Sequence, residues 1–201
     1  QESFIRTLLL SFFSFNFFAT PLMVYVPIYA ERVFSAGARG VSILEVSLSL
    51  GLIFGGLGVG FFSLQRFRLS RVILFLYVLF ALNFLGFGFA KNLWVGSGAL
   101  FVVGCVVAWL NVQFLTFFQK QASPQELASV MTAFNVVAQA SMPLSFVVLG
   151  ILLPLASPKA VFMLSAFGMT LVALVTAYFV SFFENRENRT RPTISTEGTL
   201  C

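Results

Sequence analysis

Polar side chains inside long apolar stretches are the residues of this sequence that could do chemistry. Asn135 and Gln139 stand four residues apart in one such stretch, and this spacing places both on one face of a helix. Amides in that position can hydrogen-bond a small molecule, or they can hydrogen-bond a neighbouring helix and only hold a bundle together. Both interpretations remain open at this point.

Two further apolar stretches carry polar residues at the same helical spacing. Amides, aromatic rings and methionines together suit amphipathic organic molecules better than small ions, because such contacts adapt to varied shapes. The candidates for lining an internal path are Asn16, Thr20, Met23 and Pro27 in the first stretch, Trp109, Gln113 and Thr116 in the fourth, and Thr132, Asn135, Gln139 and Met142 in the fifth.

Glu45 is the one carboxylate close to an apolar stretch, and it is the possible proton site. To carry a proton it would have to be buried, whereas a residue wetted by water at the membrane surface would pair weakly with Arg39 or Arg32. The chain has no His, and Cys105 and Cys201 lack metal-ligand spacing. We therefore expect no catalytic site, no metal and no cofactor.

The composition indicates which solvent surrounds these residues. Hydrophobic residues make up 59% of the chain, charged residues 9%, and the mean hydropathy is +0.96, whereas a soluble domain has roughly 25% charged residues. A lipid bilayer is therefore the expected partner. The net charge of +5 comes from basic residues at the ends of apolar stretches, which form no stripe for nucleic acid.

Six apolar stretches have the length of about 20 residues that a membrane-spanning helix needs. They predict an all-α polytopic membrane protein with a six-helix domain over residues 4–183, followed by a disordered cytoplasmic tail over 184–201. The predicted helices are Phe4–Ala30, Val41–Phe62, Arg71–Ala90, Leu93–Phe118, Glu126–Leu153 and Lys159–Phe183.

Basic residues fall more often on one side of this predicted topology, and the side richer in Lys and Arg is normally cytoplasmic. The distribution predicts a protein of the plasma (inner) membrane with both termini in the cytoplasm. One side has Arg6, Arg66, Arg68, Arg71, Lys120, Arg186, Arg189 and Arg191, and the other has Arg32, Arg39, Lys91 and Lys159.

Prolines and glycines mark special positions in the predicted helices. Pro21, Pro27 and Pro143 each free a backbone carbonyl, which makes them candidate gating hinges or simple packing kinks. Glycines four residues apart predict close contact between helices. These are Gly51 and Gly55, then Gly56 and Gly60.

Two segments resemble the C-terminal half of major facilitator superfamily transporters. Residues 25–71, YVPIYAERVFSAGARGVSILEVSLSLGLIFGGLGVGFFSLQRFRLSR, are similar to the seventh and eighth helices of exporters in that family, ending in a basic inner loop with Arg66, Arg68 and Arg71. Residues 111–152, NVQFLTFFQKQASPQELASVMTAFNVVAQASMPLSFVVLGIL, resemble the tenth and eleventh helices of drug-efflux members such as macrolide exporters. There the shared residues are Gln119, Pro124 and Glu126.

The resemblance covers about residues 4–183 and departs from the family at two loops. The basic loop SLQRFRLSR lacks the family's Asp, and Leu127, Ala128 and Ser129 stand where Arg-Gly-Arg is common. The family fold implies two three-helix units of inverted topology, here about 4–90 and 93–183. A complete carrier then needs a second six-helix half, either a missing N-terminal half or a partner chain.

What the resemblance implies is a secondary active transporter that exports amphipathic small molecules by alternating access and is coupled to protons. Because this half has no deep acidic residue, the coupling group is expected in the other half. The alternative is a membrane-embedded substrate-binding subunit of a multi-subunit importer, which would bind its ligand tightly alone. A membrane-embedded enzyme is disfavoured by the lack of His and of paired carboxylates.

Overall fold

A computed structural model describes residues 2–61, 68–121 and 127–190 of the chain. Within these ranges the chain forms helices joined by short turns, and no strand is present. The helices are α1 (Glu2–Ala19), α2 (Pro21–Arg32), α3 (Gly37–Phe61), α4 (Leu69–Gly88), α5 (Leu93–Gln121), α6 (Leu127–Leu152) and α7 (Pro158–Thr190).

Six of the described stretches are long and apolar enough to cross a membrane, which confirms the predicted fold class. α1 and α2 together form the first, Arg6–Arg32, because Thr20 between them keeps right-handed helical backbone angles. Helices α3 to α7 supply the other five, and we number the six spans in chain order. The turn at Asn92 begins span 4 as predicted, and the Val95 N–H donates to Asn92 Oδ1 at 2.8 Å.

The spans pack as a ring of neighbours that is open on one side. Among the described residues, the principal contacts run in the order α3, α5, α4, α7, α1 and α6. α2 and α5 each contact both α3 and α6, so spans 1 and 4 lie behind these two helices. α3 and α6 are not a principal packing pair. We call the side of the bundle between α3 and α6 the open face.

The packing pairs repeat when spans 1, 2 and 3 are exchanged for spans 4, 5 and 6. Span 2 packs on span 4 as span 5 packs on span 1, and span 3 packs on span 4 as span 6 packs on span 1. Spans 1 and 2 touch, as do spans 4 and 5, and spans 3 and 6 pack on each other. This is the pattern expected of two three-span units in which equivalent helices run in opposite directions.

The burial of side chains repeats in the same way. With a shift of 90 residues, the buried, half-buried and exposed positions of 41–60 recur in 131–150 at all but three places. Spans 1 and 4 show a looser form of this relation with a shift of 88 residues. Leu8, Phe12, Phe15, Leu22 and Val26 are buried, and so are Gly96, Leu100, Val103, Leu110 and Phe114. What repeats is the buried face and not the sequence. Between 41–60 and 131–150 only two positions keep their residue type.

Buried hydroxyl groups join the spans within the aromatic core. Ser11 Oγ lies 2.9 Å from Tyr77 Oη and accepts a hydrogen bond from Thr176 Oγ1 at 2.8 Å, which links α1, α4 and α7. Tyr29 Oη donates to the Gly88 carbonyl oxygen at 2.7 Å, which links α2 and α4. Each donor is satisfied inside the bundle, so these polar groups stabilise it without needing water.

The last helix is longer than the sequence analysis predicts. α7 includes residues 184–190, which were assigned to a disordered tail. Glu and Arg have high helix propensity, and a helix leaving a membrane can continue into water when its side chains are polar. Residues 191–201, the remainder of the predicted tail, lie outside the described ranges.

Candidate functional site

The open face is bordered by the two most exposed spans. Only 17% of the membrane-length window of α3 and of α6 is buried, against 39–50% for the other four spans. Successive helical residues are about 100° apart, so the exposed residues of each helix can be sorted into separate faces. Each helix has a packing face and two exposed flanks of different chemistry.

In α6 the packing face has Phe134, Ser141, Ser145 and Leu149, all buried. One exposed flank is wholly apolar and suits contact with lipid. It consists of Val136, Ala140, Leu144, Val147 and Ile151. The other flank is mixed, and we call it the polar flank of α6. It consists of Thr132, Asn135, Gln139, Pro143, Phe146 and Gly150.

α3 divides in the same way around its buried residues Leu44, Gly51 and Gly55. Its apolar flank consists of Val46, Leu50, Phe54 and Leu57. Its polar flank consists of Ser42, Glu45, Ser49, Leu52, Ile53, Gly56 and Gly60. A lipid-facing helix needs no polar flank, so this flank of each helix belongs to the open face or to a partner.

The two polar flanks match position by position. A shift of 90 residues carries each exposed polar residue of α3 onto an exposed polar residue of α6. The pairs are Ser42 with Thr132, Glu45 with Asn135 and Ser49 with Gln139. The flanks end at Gly60 and Gly150, where an added Cβ would meet no atom within 4 Å. Equivalent positions in the two units therefore carry hydrogen-bonding groups on the same flank.

These polar residues lie deep in their spans. At about 1.5 Å per residue, Ser49 is roughly 18 Å from the first residue of α3, and Gln139 is roughly 20 Å from the last residue of α6. Both positions fall in the interior of a hydrocarbon layer about 30 Å thick. Asn135 Nδ2 donates to the Met131 carbonyl oxygen at 3.0 Å, which leaves its second N–H and its oxygen for another partner.

Two of the predicted residues of span 1 form hydrogen bonds to carbonyl oxygens of their own span. Asn16 is half-buried and donates to the Phe12 carbonyl oxygen at 2.9 Å, and Thr20 is buried and donates to the Asn16 carbonyl oxygen at 2.8 Å. Met23, with 59% exposure, and Pro27 are the exposed members of this stripe. The structure therefore exposes the later residues of this stripe, Met23 and Pro27, at the bundle surface and not the earlier ones, Asn16 and Thr20.

In span 4 the predicted residues Trp109, Gln113 and Thr116 are half-buried. Asn111, which was not among the predicted residues, is an exposed amide within the membrane-length part of this helix, and its Nδ2 donates to the Val107 carbonyl oxygen at 2.9 Å. With the shift of 88 residues, Asn111 is equivalent to Met23. The burial repeat, which only the structure reveals, identifies it.

Glu45 and the described arginines of the basic loop are exposed. Glu45 is exposed on the polar flank of α3, one turn before Ser49, and its role as a proton site stays a prediction. Arg68 and Arg71 are exposed at the start of α4. Arg66 lies outside the described residues, as do Pro124 and Glu126 of the family-like loop.

Two of the four predicted packing glycines lie in the tightest helix contact of the bundle. A Cβ at Gly55 would lie 2.5 Å from Cys105 Cα, and a Cβ at Gly51 would overlap the carbonyl oxygen of Phe101. From the opposite helix, a Cβ at Gly104 would overlap the Leu48 carbonyl oxygen. Gly56 and Gly60 instead face away from this contact and meet no atom within 4 Å, because they lie on the polar flank.

The three predicted hinge prolines have different surroundings. Pro27 and Pro143 are exposed and lie inside α2 and α6. Pro21 is buried and separates α1 from α2. The carbonyl oxygen of Phe17, four residues before Pro21, accepts a 2.8 Å hydrogen bond from Ser145 Oγ of α6. Ser145 could not be identified from the sequence, because its spacing of four from Ser141 indicates a shared face and not which helix that face contacts.

Two buried hydroxyl groups have no partner among the described residues, Tyr25 Oη and Ser97 Oγ. No group of three or more His, Cys, Asp or Glu residues in the described ranges is placed to hold a metal ion. Cys105 is a free, half-buried thiol on the helix contact with Gly55. In the part of the chain that the structure describes, the arrangement offers hydrogen bonding on two polar flanks.

Comparison of the chain with known protein families and with curated proteins gives no match.

Proposed function

We propose that this chain is one six-helix half of a secondary transporter of the major facilitator type. The observation that carries the proposal is the pair of matched polar flanks on the exposed sides of α3 and α6, which we assign to the open face. The similarity of residues 25–71 and 111–152 to exporters of that family supports the same conclusion. The two repeated three-span units fit it as well.

The free-energy cost of placing unpaired polar groups in hydrocarbon indicates that these flanks have a function. A polar group in hydrocarbon without a partner costs several kcal/mol in the least favourable case, so exposed amides at mid-membrane depth face water or other polar groups. Among the described residues, neither Asn135 nor Gln139 forms a hydrogen bond with another helix. A water-filled path between two bundles, bordered by Asn135, Gln139 and Ser49, satisfies them.

The second bundle is a further six-helix half that docks on the open face, and rocking of the two halves exposes the path to each side in turn. The transported molecules are amphipathic organic compounds, because the polar flanks mix amides with Phe146, Leu52 and Ile53. The proposed location is the plasma membrane, with both termini in the cytoplasm and export as the direction. Proton coupling would depend on a group in the second half.

The first test measures which flank water reaches. Single cysteines replace Asn135 or Gln139 on the polar flank, and Val136 or Val147 on the apolar flank, in a background with Cys105→Ala and Cys201→Ser. We expect a charged, water-soluble thiol reagent to modify the first two in intact membranes at least tenfold faster than the last two. Equal rates on both flanks would remove the basis of the proposal.

The second test measures transport. Cells expressing the chain together with the second six-helix half are loaded with fluorescent amphipathic dyes, and Asn135→Ala and Gln139→Ala are compared with Val136→Ala for efflux at equal protein levels. We expect loss of efflux for at least one dye in the amide variants and none in the valine variant. Tight binding of a single ligand by the purified chain, without efflux, would instead favour the substrate-binding subunit of an importer.

A further inference from the structure

The bend between α1 and α2 is completed by a residue of another span. Pro21 has no N–H, so the Phe17 carbonyl oxygen lacks the donor that a continuous helix would supply. Ser145 Oγ donates to this oxygen at 2.8 Å, and Ser145 is only 2% exposed. Ser and Thr side chains are among the groups that satisfy carbonyls freed by proline within membranes.

The repeat between the two units of the fold provides an internal comparison for this contact. The shift of 90 residues relates Ser145 to Gly55, and the shift of 88 relates Phe17 to Cys105. Gly55 lies against Cys105 as Ser145 lies against Phe17, since a Cβ on Gly55 would be 2.7 Å from the Cys105 carbonyl oxygen.

The two contacts differ in whether the residue four positions after the contacted carbonyl has a backbone N–H. The residue four positions after Cys105 is Trp109, which has a backbone N–H, whereas the residue four positions after Phe17 is Pro21. A helix therefore supplies its own donor to the Cys105 carbonyl, and the contact residue there is a glycine. At Phe17 the helix supplies none, and the contact residue is a serine.

We infer that Ser145 is a positioning residue that fixes the bend of span 1 at Pro21 and ties this bend to α6. α6 has its main contact with α1 and smaller ones with α2 and α5, and this hydrogen bond lies in the main contact. α6 cannot move away from α1 without leaving the Phe17 carbonyl unsatisfied. The consequence for transport rests on the proposed function, because α6 carries Asn135 and Gln139. The coupling between Ser145 and the bend does not rest on the proposed function.

A double-mutant cycle tests the coupling in the purified full chain. Ser145→Ala should lower the midpoint of thermal unfolding in detergent by about 2–4 °C. In a Pro21→Ala background the new N–H satisfies Phe17, so Ser145→Ala should then lower the midpoint by less than half as much. The matched control is Ser141→Ala, because Ser141 is buried on the same face but donates to Ala138 within its own helix at 2.7 Å.

A second measurement separates positioning from general stability. Cysteines replace Met23 after the bend or Leu10 before it, both exposed, in the background without native cysteines. Ser145→Ala should change the rate of thiol modification at position 23 at least twofold and leave position 10 unchanged. Pro21→Ala should abolish this effect of Ser145→Ala, and Ser145→Thr should restore the parent rate by restoring a hydroxyl.

Equal effects of Ser145→Ala with and without Pro21 would overturn the inference, as would an equal change of modification rate at positions 10 and 23. If Ser145→Ala does not fold, Ser145→Thr and Ser145→Cys are compared in both backgrounds, and the same dependence on Pro21 is required. Neither measurement uses transport. Loss of the coupling therefore refutes the role of Ser145 alone, and loss of the difference in flank reactivity refutes the proposed function alone.

Discussion

Replacing glycine by alanine on two sides of α3 should have opposite effects on stability. Gly51 lies in the contact with α5, and a methyl group there would overlap the Phe101 carbonyl oxygen and lie 3.1 Å from Gly104 Cα. Gly56 lies five residues later on the polar flank, where the added methyl group would meet no atom within 4 Å. The two substitutions are chemically identical and occur in the same helix.

The magnitude follows from two opposing terms. Overpacking costs about 1–3 kcal/mol, and backbone atoms cannot move aside as the end of a side chain can, so Gly51→Ala should lie in the upper part of that range. Alanine in place of glycine gains up to about 1 kcal/mol of helix propensity at either position. We therefore expect Gly51→Ala to lower the free energy of unfolding by about 1–2 kcal/mol and Gly56→Ala to leave it unchanged or raise it slightly.

Unfolding in mixed micelles with increasing sodium dodecyl sulfate measures both free energies, and tryptophan fluorescence reports the transition. Trp109 is a suitable probe because its indole lies against α3, with Nε1 3.5 Å from where a Cβ of Gly58 would be. Equal stability of the two variants would refute the conclusion that α3 and α5 form the tightest helix contact. A larger loss for Gly56→Ala would show that the polar flank is packed.

Two further predictions concern polar groups inside and at the rim of the bundle. Tyr77→Phe should lower the free energy of unfolding by about 1 kcal/mol, because Tyr77 Oη contacts Ser11 Oγ at 2.9 Å, whereas Tyr25→Phe should cost nothing, since Tyr25 Oη has no partner among the described residues. Equal losses in the two variants, measured by the same unfolding assay, would contradict this. Glu45→Gln should leave the pH dependence of dye efflux unchanged, because Glu45 is exposed, and a shifted pH profile would assign it a proton-carrying role.

The spans were predictable because hydropathy and length are local properties of the sequence. The positions of all six spans follow from runs of apolar residues, and the polar step at Lys91 and Asn92 was enough to locate the turn before span 4. The end of α7 was not predictable in this way, because residues 184–190 lie beyond the apolar run and still continue the helix.

The candidate site was predictable only in part, since lipid and protein interior are equally apolar. The spacing of Asn135 and Gln139 correctly indicates one shared face, and the structure exposes both residues. The same spacing in span 4 selects Trp109 and Gln113, which are half-buried, and overlooks exposed Asn111. Periodicity shows which residues share a face, but only the neighbouring helices determine which face is covered.

Contacts between distant spans could not be predicted from any local pattern. Ser145 reaches a carbonyl 128 positions away along the chain, and Thr176 reaches Ser11 over 165 positions. A single hydroxyl in an apolar run has the same appearance whether it bonds its own helix, as Ser141 does, or another one. The burial repeat was equally hidden, because it preserves faces and almost no residue types.

The close contact between α3 and α5 also constrains the order in which the helices are inserted and assembled. α3 belongs to the first three-span unit and α5 to the second, so the glycine surface of α3 has no matching surface until the fourth span has been synthesised and inserted. The main partners of α1 are α6 and α7, which emerge later still. Insertion of the individual helices must therefore precede their assembly, and a ribosome that stalls after the third span would leave an incomplete protein in the bilayer for quality control to remove.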